Sequence, residues 1–311
     1  MKRLLTFSQE LLDRAVELGR KYTRYGEVAD YIPELKKQNF QNVALAVIQN
    51  GEALYAGEVD TPFSIQSIVK VILYALALEN YTVDELKRNV GLKPSAKPFN
   101  SVIELELSKK NVPVNPFINA GAIVTVALLH EIYQEKTMGV ILNYVSKFLG
   151  RDVTYSQDIF MSERVSSFAN RTLTYLMLTK GILPKDLEVE EVLDVYFKSC
   201  SIMVTCKDLA HMSYVLSNKG VNPDGTRVID EDIARVLRTL MATCGTYDYA
   251  GDFAVRVGIP AKSGVGGGIV TASLDGYGLA VYSPGLDSHG NSYSGVRMLE
   301  FLSRELGLNI Y

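Results

Sequence analysis

Histidine and cysteine are scarce in this 311-residue chain, with three of each, and neither is spaced to bind a metal. His130-Glu131 lacks the second histidine of a zinc-protease helix, and no His/Cys spacing suits structural zinc. Cys200, Cys206 and Cys244 form neither a CxxC pair nor an even disulfide framework, so they read as reduced thiols of a cytoplasmic protein. No excess of one charge exists either: 32 Lys+Arg stand against 35 Asp+Glu, a net charge of -3. Without a basic block to track phosphates or anionic lipid, neither nucleic acid nor a membrane surface is an expected partner. No apolar run approaches the ~18 residues of a membrane span. The N-terminus opens like a signal peptide, with Lys2 and Arg3 before Leu4 and Leu5, but Gln9, Glu10 and Asp13 break the apolar stretch. It reads instead as an amphipathic helix capped by Ser8, with Leu11, Leu12, Ala15, Val16 and Leu18 inside.

Two further enzyme signatures are missing. The nearest approach to a GxSxG elbow, Gly290-Asn-Ser292-Tyr-Ser294, ends in the wrong residue. The Gly-rich stretch 264–268 is no phosphate loop, because Lys262-Ser263 precede the glycines instead of following them.

What the chain does have is 47% hydrophobic residues, enough to bury a large core in one big domain or two intimate ones. Residues 43–59 are two β-rich runs joined by Asn50-Gly51, the strongest short hairpin signal. Residues 265–283 repeat the pattern around Asp275-Gly276. Between them the periodicity is mostly helical: Ile68–Leu78, Asn119–Tyr133, Met138–Leu149, Val189–Phe197, Cys206–Asn218 and Glu231–Thr243. The first of these is apolar nearly all the way round, which marks a central, buried helix. Strands at both ends with helices between predict an α/β fold of the α+β type. Residues 1–66 and 250–311 supply the sheet-containing subdomain and residues 67–249 the mainly helical one, in a single globular unit.

Ser67-Ile-Val-Lys70 is the only S-x-x-K in the chain, and with 22 serines and 18 lysines about one is expected by chance. Its context raises it. Residues i and i+3 share a face at the start of the buried helix, where apolar neighbours disfavour the ammonium form of Lys70. A neutral lysine can take the proton that makes a serine hydroxyl nucleophilic. The bland alternative is a helix-start serine beside a snorkelling lysine. Late in the chain Lys262-Ser263-Gly264 opens a candidate strand, like the K-T-G triplet that faces S-x-x-K in serine acyl-transfer enzymes. A backbone N–H there, paired with that of Ser67, makes an oxyanion hole.

Six blocks then resemble the serine-dependent glutaminase family: Gly26–Leu35, Phe63–Lys70, Asn115–Ile123, Tyr196–Ile202, Thr243–Tyr247 and Pro260–Val265, in order from about residue 26 to 297. The resemblance implies a β-lactamase/transpeptidase-like fold with a mixed, largely antiparallel sheet. It implies hydrolysis of L-glutamine to L-glutamate and ammonia through a glutamyl-Ser67 intermediate, no cofactor, no metal, and a homo-oligomer, either dimer or tetramer. Carried over by motif, Ser67, Lys70, Tyr31 and Tyr247 match the catalytic residues. Gln66, Asn119, Glu163, Asn170 and Tyr196 match those holding substrate, and Val265 the second oxyanion amide. Glu163 suits the substrate's ammonium, and neutral donors such as Asn119 and Asn170 suit its carboxylate. Taken singly, Asn119 also reads as a helix cap, Glu163 as a solvated charge and Tyr196 as core. Departures from the family pattern fall at Ala96, Ala169 and Val69. The competing readings are a penicillin-binding or β-lactamase-like acyl transferase, which lacks its S-D-N element here, and an inactive glutamine-binding relative.

Overall fold

The computed structural model describes residues 6–95, 97–98, 101–107 and 112–311. Lys2 to Leu5 and the departure at Ala96 therefore lie outside the described residues. Among the described residues there are nine strands: β1 Glu27–Val28, β2 Ala44–Gln49, β3 Glu52–Gly57, β4 Phe63–Ser64, β5 Met203–Val204, β6 Ala261–Ser263, β7 Gly268–Thr271, β8 Gly278–Tyr282 and β9 Gly285–Leu286. The helices are α1 Gln9–Tyr22, α2 Val69–Leu78, α3 Val83–Asn89, α4 Val102–Leu107, α5 Asn119–Tyr133, α6 Thr137–Leu149 and α7 Gln157–Ser166. They continue with α8 Phe168–Thr179, α9 Val189–Cys200, α10 Cys206–Ser217, α11 Glu231–Cys244, α12 Ala250–Arg256 and α13 Tyr293–Leu306.

The main sheet has the order β3-β2-β8-β7-β6, and every neighbouring pair is antiparallel. The expected contribution of both chain ends is met: β2 and β3 come from the N-terminal hairpin and pair with β8 from the C-terminal one. Both hairpins turn where glycine makes a left-handed backbone cheap. Asn50 and Gly51 have φ of 53° and 82°, the sign a type I′ turn demands, and Gly276 has φ of 81°.

Strand β2 reads as a continuous apolar run because both its faces are covered. Leu45 and Val47, with Val43 just before the strand, point into a core made with α1 and α13, including Leu12, Val16, Met298 and Leu302. Ala44, Ala46 and Ile48 point the other way, into the larger core shared with α2, α5, α9 and α10. Alternate side chains of one strand thus join two layers of helix through the sheet. Ser8 caps α1 as expected, its hydroxyl accepting from the Leu11 N–H. Leu18 is only half-buried, and Gly19 takes the inward position, because a Cβ there would lie 2.9 Å from Val43 and Met298.

Two local expectations are corrected. The buried helix α2 begins at Val69, and Ser67 lies in a separate 3-10 turn, Gln66–Ile68, whose axis the chain must bend into. Lys262-Ser263 close β6 instead of opening a strand, and Gly264–Gly267 form the tight turn into β7, with Gly267 N–H donating to Gly264 O.

One close approach yields a stability prediction. A Cβ on Gly245, which follows α11, would sit 1.7 Å from the backbone oxygen of Ala261. Backbone cannot rotate away, so Gly245→Ala must part α11 from β6, at about 3 kcal/mol. Denaturant unfolding checks this, and a loss under about 0.5 kcal/mol would show that the contact relaxes freely.

Candidate active site

Ser67 lies at the edge of a cleft of about 250 Å³ lined by Tyr31, Gln66, Ser67, Asn119, Glu163, Asn170, Tyr196, Cys200 and Val265, with Ser166, Ser167 and Ala169 completing the wall. Its position follows from the bend before α2. Gln66 is held at φ 48°, a left-handed conformation that costs a non-glycine residue about 1 kcal/mol. The Gln66 amide donates to Ser64 Oγ at 3.1 Å, and β4 is in turn paired with β5, so the bend is anchored from behind.

Lys70, one turn on, is buried. Its Nζ donates to Asn119 Oδ1 at 2.7 Å and to the Phe117 carbonyl at 3.2 Å. Burial pulls its pKa down to about 8, with Cys200 and Glu163 opposing the shift. Asn119 is therefore no helix cap: Ile118 stands at that position, and Asn115 supplies the side-chain acceptor for Phe117 and Ile118 N–H. The Asn119 amide instead donates to Asn170 Oδ1 at 2.9 Å, and the Tyr196 hydroxyl reaches Asn119 Oδ1 at 3.4 Å. Lysine, two asparagines and a tyrosine from α2, α5, α8 and α9 form one connected polar floor.

Glu163, on α7, is not a solvated charge. It is 5% exposed, its Oε2 has no hydrogen-bond partner, and burial raises its pKa to about 8, partly offset by Lys70. Tyr196 is both core and cleft lining, as its neighbours on α9 require. Cys200 lines the same cleft, and burial pushes its thiol pKa up, so it is a poor nucleophile at neutral pH. The sequence reading passed over Cys200, although its i+4 spacing from Tyr196 places both on one helix face.

The opposite wall comes from the C-terminal strands. Gly264 approaches so closely that a Cβ there would lie 2.8 Å from Ile65 O and 3.4 Å from Ser67 N. Val265, the next residue, lines the same cleft as Ser67. Lys262 is fully buried, with Nζ donating to Ser263 O at 2.6 Å and lying 4.1 Å from the centre of the Tyr247 ring. Burial and the like charge of Lys70 hold its amine well below the usual lysine range.

The two expected tyrosines differ in placement. The Tyr247 hydroxyl donates to Ser263 O at 3.0 Å and faces Ser67, which is close enough to act as a donor to it. Burial raises its pKa to about 12, with the Ser67 hydroxyl pulling the other way. It sits at φ 62°, which for a bulky residue costs about 1–3 kcal/mol. Tyr31 is half exposed at the cleft mouth, beside Val265. Ala169 lines the wall and Val69 is core, so neither departure removes a polar atom from the floor. Among the described residues, no group of three or more His, Cys, Asp or Glu side chains is arranged to hold a metal ion, and no helix is long and apolar enough to cross a membrane.

The cleft, then, sets a serine against two deprotonation-prone amines and a tyrosine, with a buried carboxyl nearby. A family model for glutaminase matches residues 26–311. The chain belongs to the glutaminase family. A glutaminase of Clostridium tetani is 44% identical over 97% of this chain and 99% of its own length. Among solved structures, a probable glutaminase, YbaS, superposes with a TM-score of 0.90 at 35% identity, covering 98% of this chain and 99% of its own. The Bacillus subtilis glutaminase YbgJ, solved as a covalent complex with 5-oxo-L-norleucine formed from 6-diazo-5-oxo-L-norleucine, matches with a TM-score of 0.87 at 30% identity, over 97% and 99% of the two chains. This glutaminase is thus an enzyme of glutamine hydrolysis on a β-lactamase-like fold.

Proposed function

We propose that this glutaminase hydrolyses L-glutamine through a glutamyl-Ser67 ester. The observation that carries the proposal is that Ser67, facing Tyr247 and one turn before the buried Lys70, lines one cleft with Glu163 and Val265. Ser67 Oγ attacks the side-chain amide carbon, and its proton passes to Lys70. Asn119 Oδ1 and the Phe117 carbonyl orient the Lys70 amine, and burial favours its neutral, proton-accepting form. The Ser67 and Val265 amides hold the oxyanion. Tyr247, facing Ser67, returns a proton to the departing nitrogen, and ammonia leaves. Water then cleaves the ester by the same groups in reverse.

The unpaired Glu163 oxygen accepts the substrate's ammonium, a charge-assisted bond that also returns the carboxyl to its ionised form. Gln66, Asn119, Asn170 and Tyr196 supply donors for the α-carboxylate and the amide, and Tyr31 closes the mouth. That a relative reacts covalently with a diazo-ketone named as a norleucine derivative supports a nucleophile in this cleft. We further infer a cytoplasmic homo-oligomer, dimer or tetramer. Three buried, unpaired cysteines suit a reducing compartment, and the exposed Val165, Phe168 and Tyr175 on α7 and α8 offer apolar area to a second copy.

Acid quenching during turnover tests the central step. A glutamyl adduct mapped to the peptide holding Ser67 is expected; an adduct on Cys200 instead would replace the proposed nucleophile.

A further inference from the structure

A bulky residue in the left-handed region persists only where its surroundings over-determine it. Tyr247 is such a residue, and what holds it is a short loop that follows β9. Within that loop Asp287 Oδ1 accepts from the N–H groups of His289 and Asn291, both at 2.9 Å, and Asp287 N–H donates to Asn291 O at 2.8 Å. With Gly290 N–H donating to Asp287 O at 3.1 Å, four mutual bonds across five residues make the loop a rigid unit, and it grips the Tyr247 segment at two points. His289 Nδ1 bonds Asp248 Oδ1 at 3.0 Å, while its ring stacks on Tyr249, centroids 5.1 Å apart. Asn291 Oδ1 accepts from Ser263 Oγ at 2.6 Å, and Ser263 is the residue whose carbonyl receives the Tyr247 hydroxyl.

The start of the loop reaches the second tyrosine. Strand β9 pairs with β1, three residues before Tyr31, and the two backbones run so close that a Cβ on Gly26 would lie 2.5 Å from the Gly285 carbonyl carbon. Leu286 packs with Ala29, Ile32 and Val265. One loop and the strand that leads into it therefore touch the mounting of Tyr31, of Tyr247 and of the oxyanion wall, and Tyr31 comes from the opposite end of the chain to the other two.

We infer that the loop 287–291 is a positioning element for the catalytic cleft, and that His289, through Asp248, holds the Tyr247 hydroxyl on Ser67. None of its side chains touches the reacting atoms. The inference rests on the role given above to Tyr247. Its cause is geometric: a displacement of about 1 Å in a proton-transferring group costs 10- to 100-fold in rate.

The test is kinetic, on the full chain. His289→Ala is expected to lower kcat about 10-fold while KM for glutamine stays within about twofold, because the substrate's ammonium and carboxylate partners are elsewhere. His289→Asn keeps a donor for Asp248 and should recover most of the loss. In a Tyr247→Phe background, His289→Ala should add little, since no hydroxyl remains to be placed. An equal loss in both backgrounds would overturn the inference and leave Tyr247 catalytic. So would a raised KM with kcat unchanged. Wild-type turnover by Tyr247→Phe alone would remove the tyrosine's role, and this inference with it.

Discussion

Ser67→Ala is expected to lower kcat for glutamine by about 10⁴- to 10⁶-fold, the range found when a nucleophile that works as one unit with its base is deleted. Nothing nearby can substitute. Cys200 shares the cleft, but its thiol is pushed up by burial and by Glu163, so it remains protonated. Binding should survive, because the groups assigned to the substrate's charged end sit on α5, α7, α8 and α9, and α2 keeps its packing when one oxygen is removed. Calorimetric titration should therefore give a glutamine Kd within a few-fold of that of a slow wild-type analogue complex. Turnover within about tenfold of wild type would exclude Ser67 as nucleophile. Lost binding would mean that the hydroxyl is chiefly a substrate ligand.

Glu163→Gln is expected to act on KM first. Truncating one partner of a buried charged pair costs about 2–5 kcal/mol, which corresponds to a KM higher by about 30-fold or more. The amide keeps the shape of the carboxyl but offers the ammonium a neutral oxygen only. A second effect follows from pKa. Lys70 is active when neutral, and burial has brought its pKa to about 8, so activity rises as pH increases through that value. The Glu163 carboxylate raises the Lys70 pKa, because it favours the ammonium. Removing it must shift the acidic limb of kcat to lower pH. In the free enzyme Glu163 itself loses its proton near pH 8, so wild-type kcat/KM should fall more steeply with acid than that of the variant. A pH profile that does not move would mean that the two groups are uncoupled, and that Lys70 is not the base.

Much of this site is legible in local pattern. The S-x-x-K spacing, the all-apolar surroundings of Lys70 and the late Lys-Ser-Gly triplet each rest on residues near one another in the chain, and the structure brings all three together. The placement of Ser67 is not legible. Its 3-10 turn depends on Gln66 at positive φ, which no propensity predicts for glutamine. Asn119 likewise reads as a cap until α8 and α9 are folded against α5, when Asn170 and Tyr196 turn it toward Lys70. The Asp248–His289 pair carries no motif, since 41 positions separate its members.

The sequence by itself determined the elements: two hairpins marked by Asn50-Gly51 and Asp275-Gly276, a strand apolar on both faces, and a buried helix with a lysine near its start. These depend on periods of 2 and 3.6 residues and on turn chemistry, which act within a few positions. Only the tertiary structure decided that Glu163 is buried with one oxygen unpartnered, that Tyr247 faces Ser67, and that Gly264 lies against Ser67. Those facts come from contacts across some 100 to 200 positions. They are settled by how faces pack when β2 and β8 meet, which no local period records.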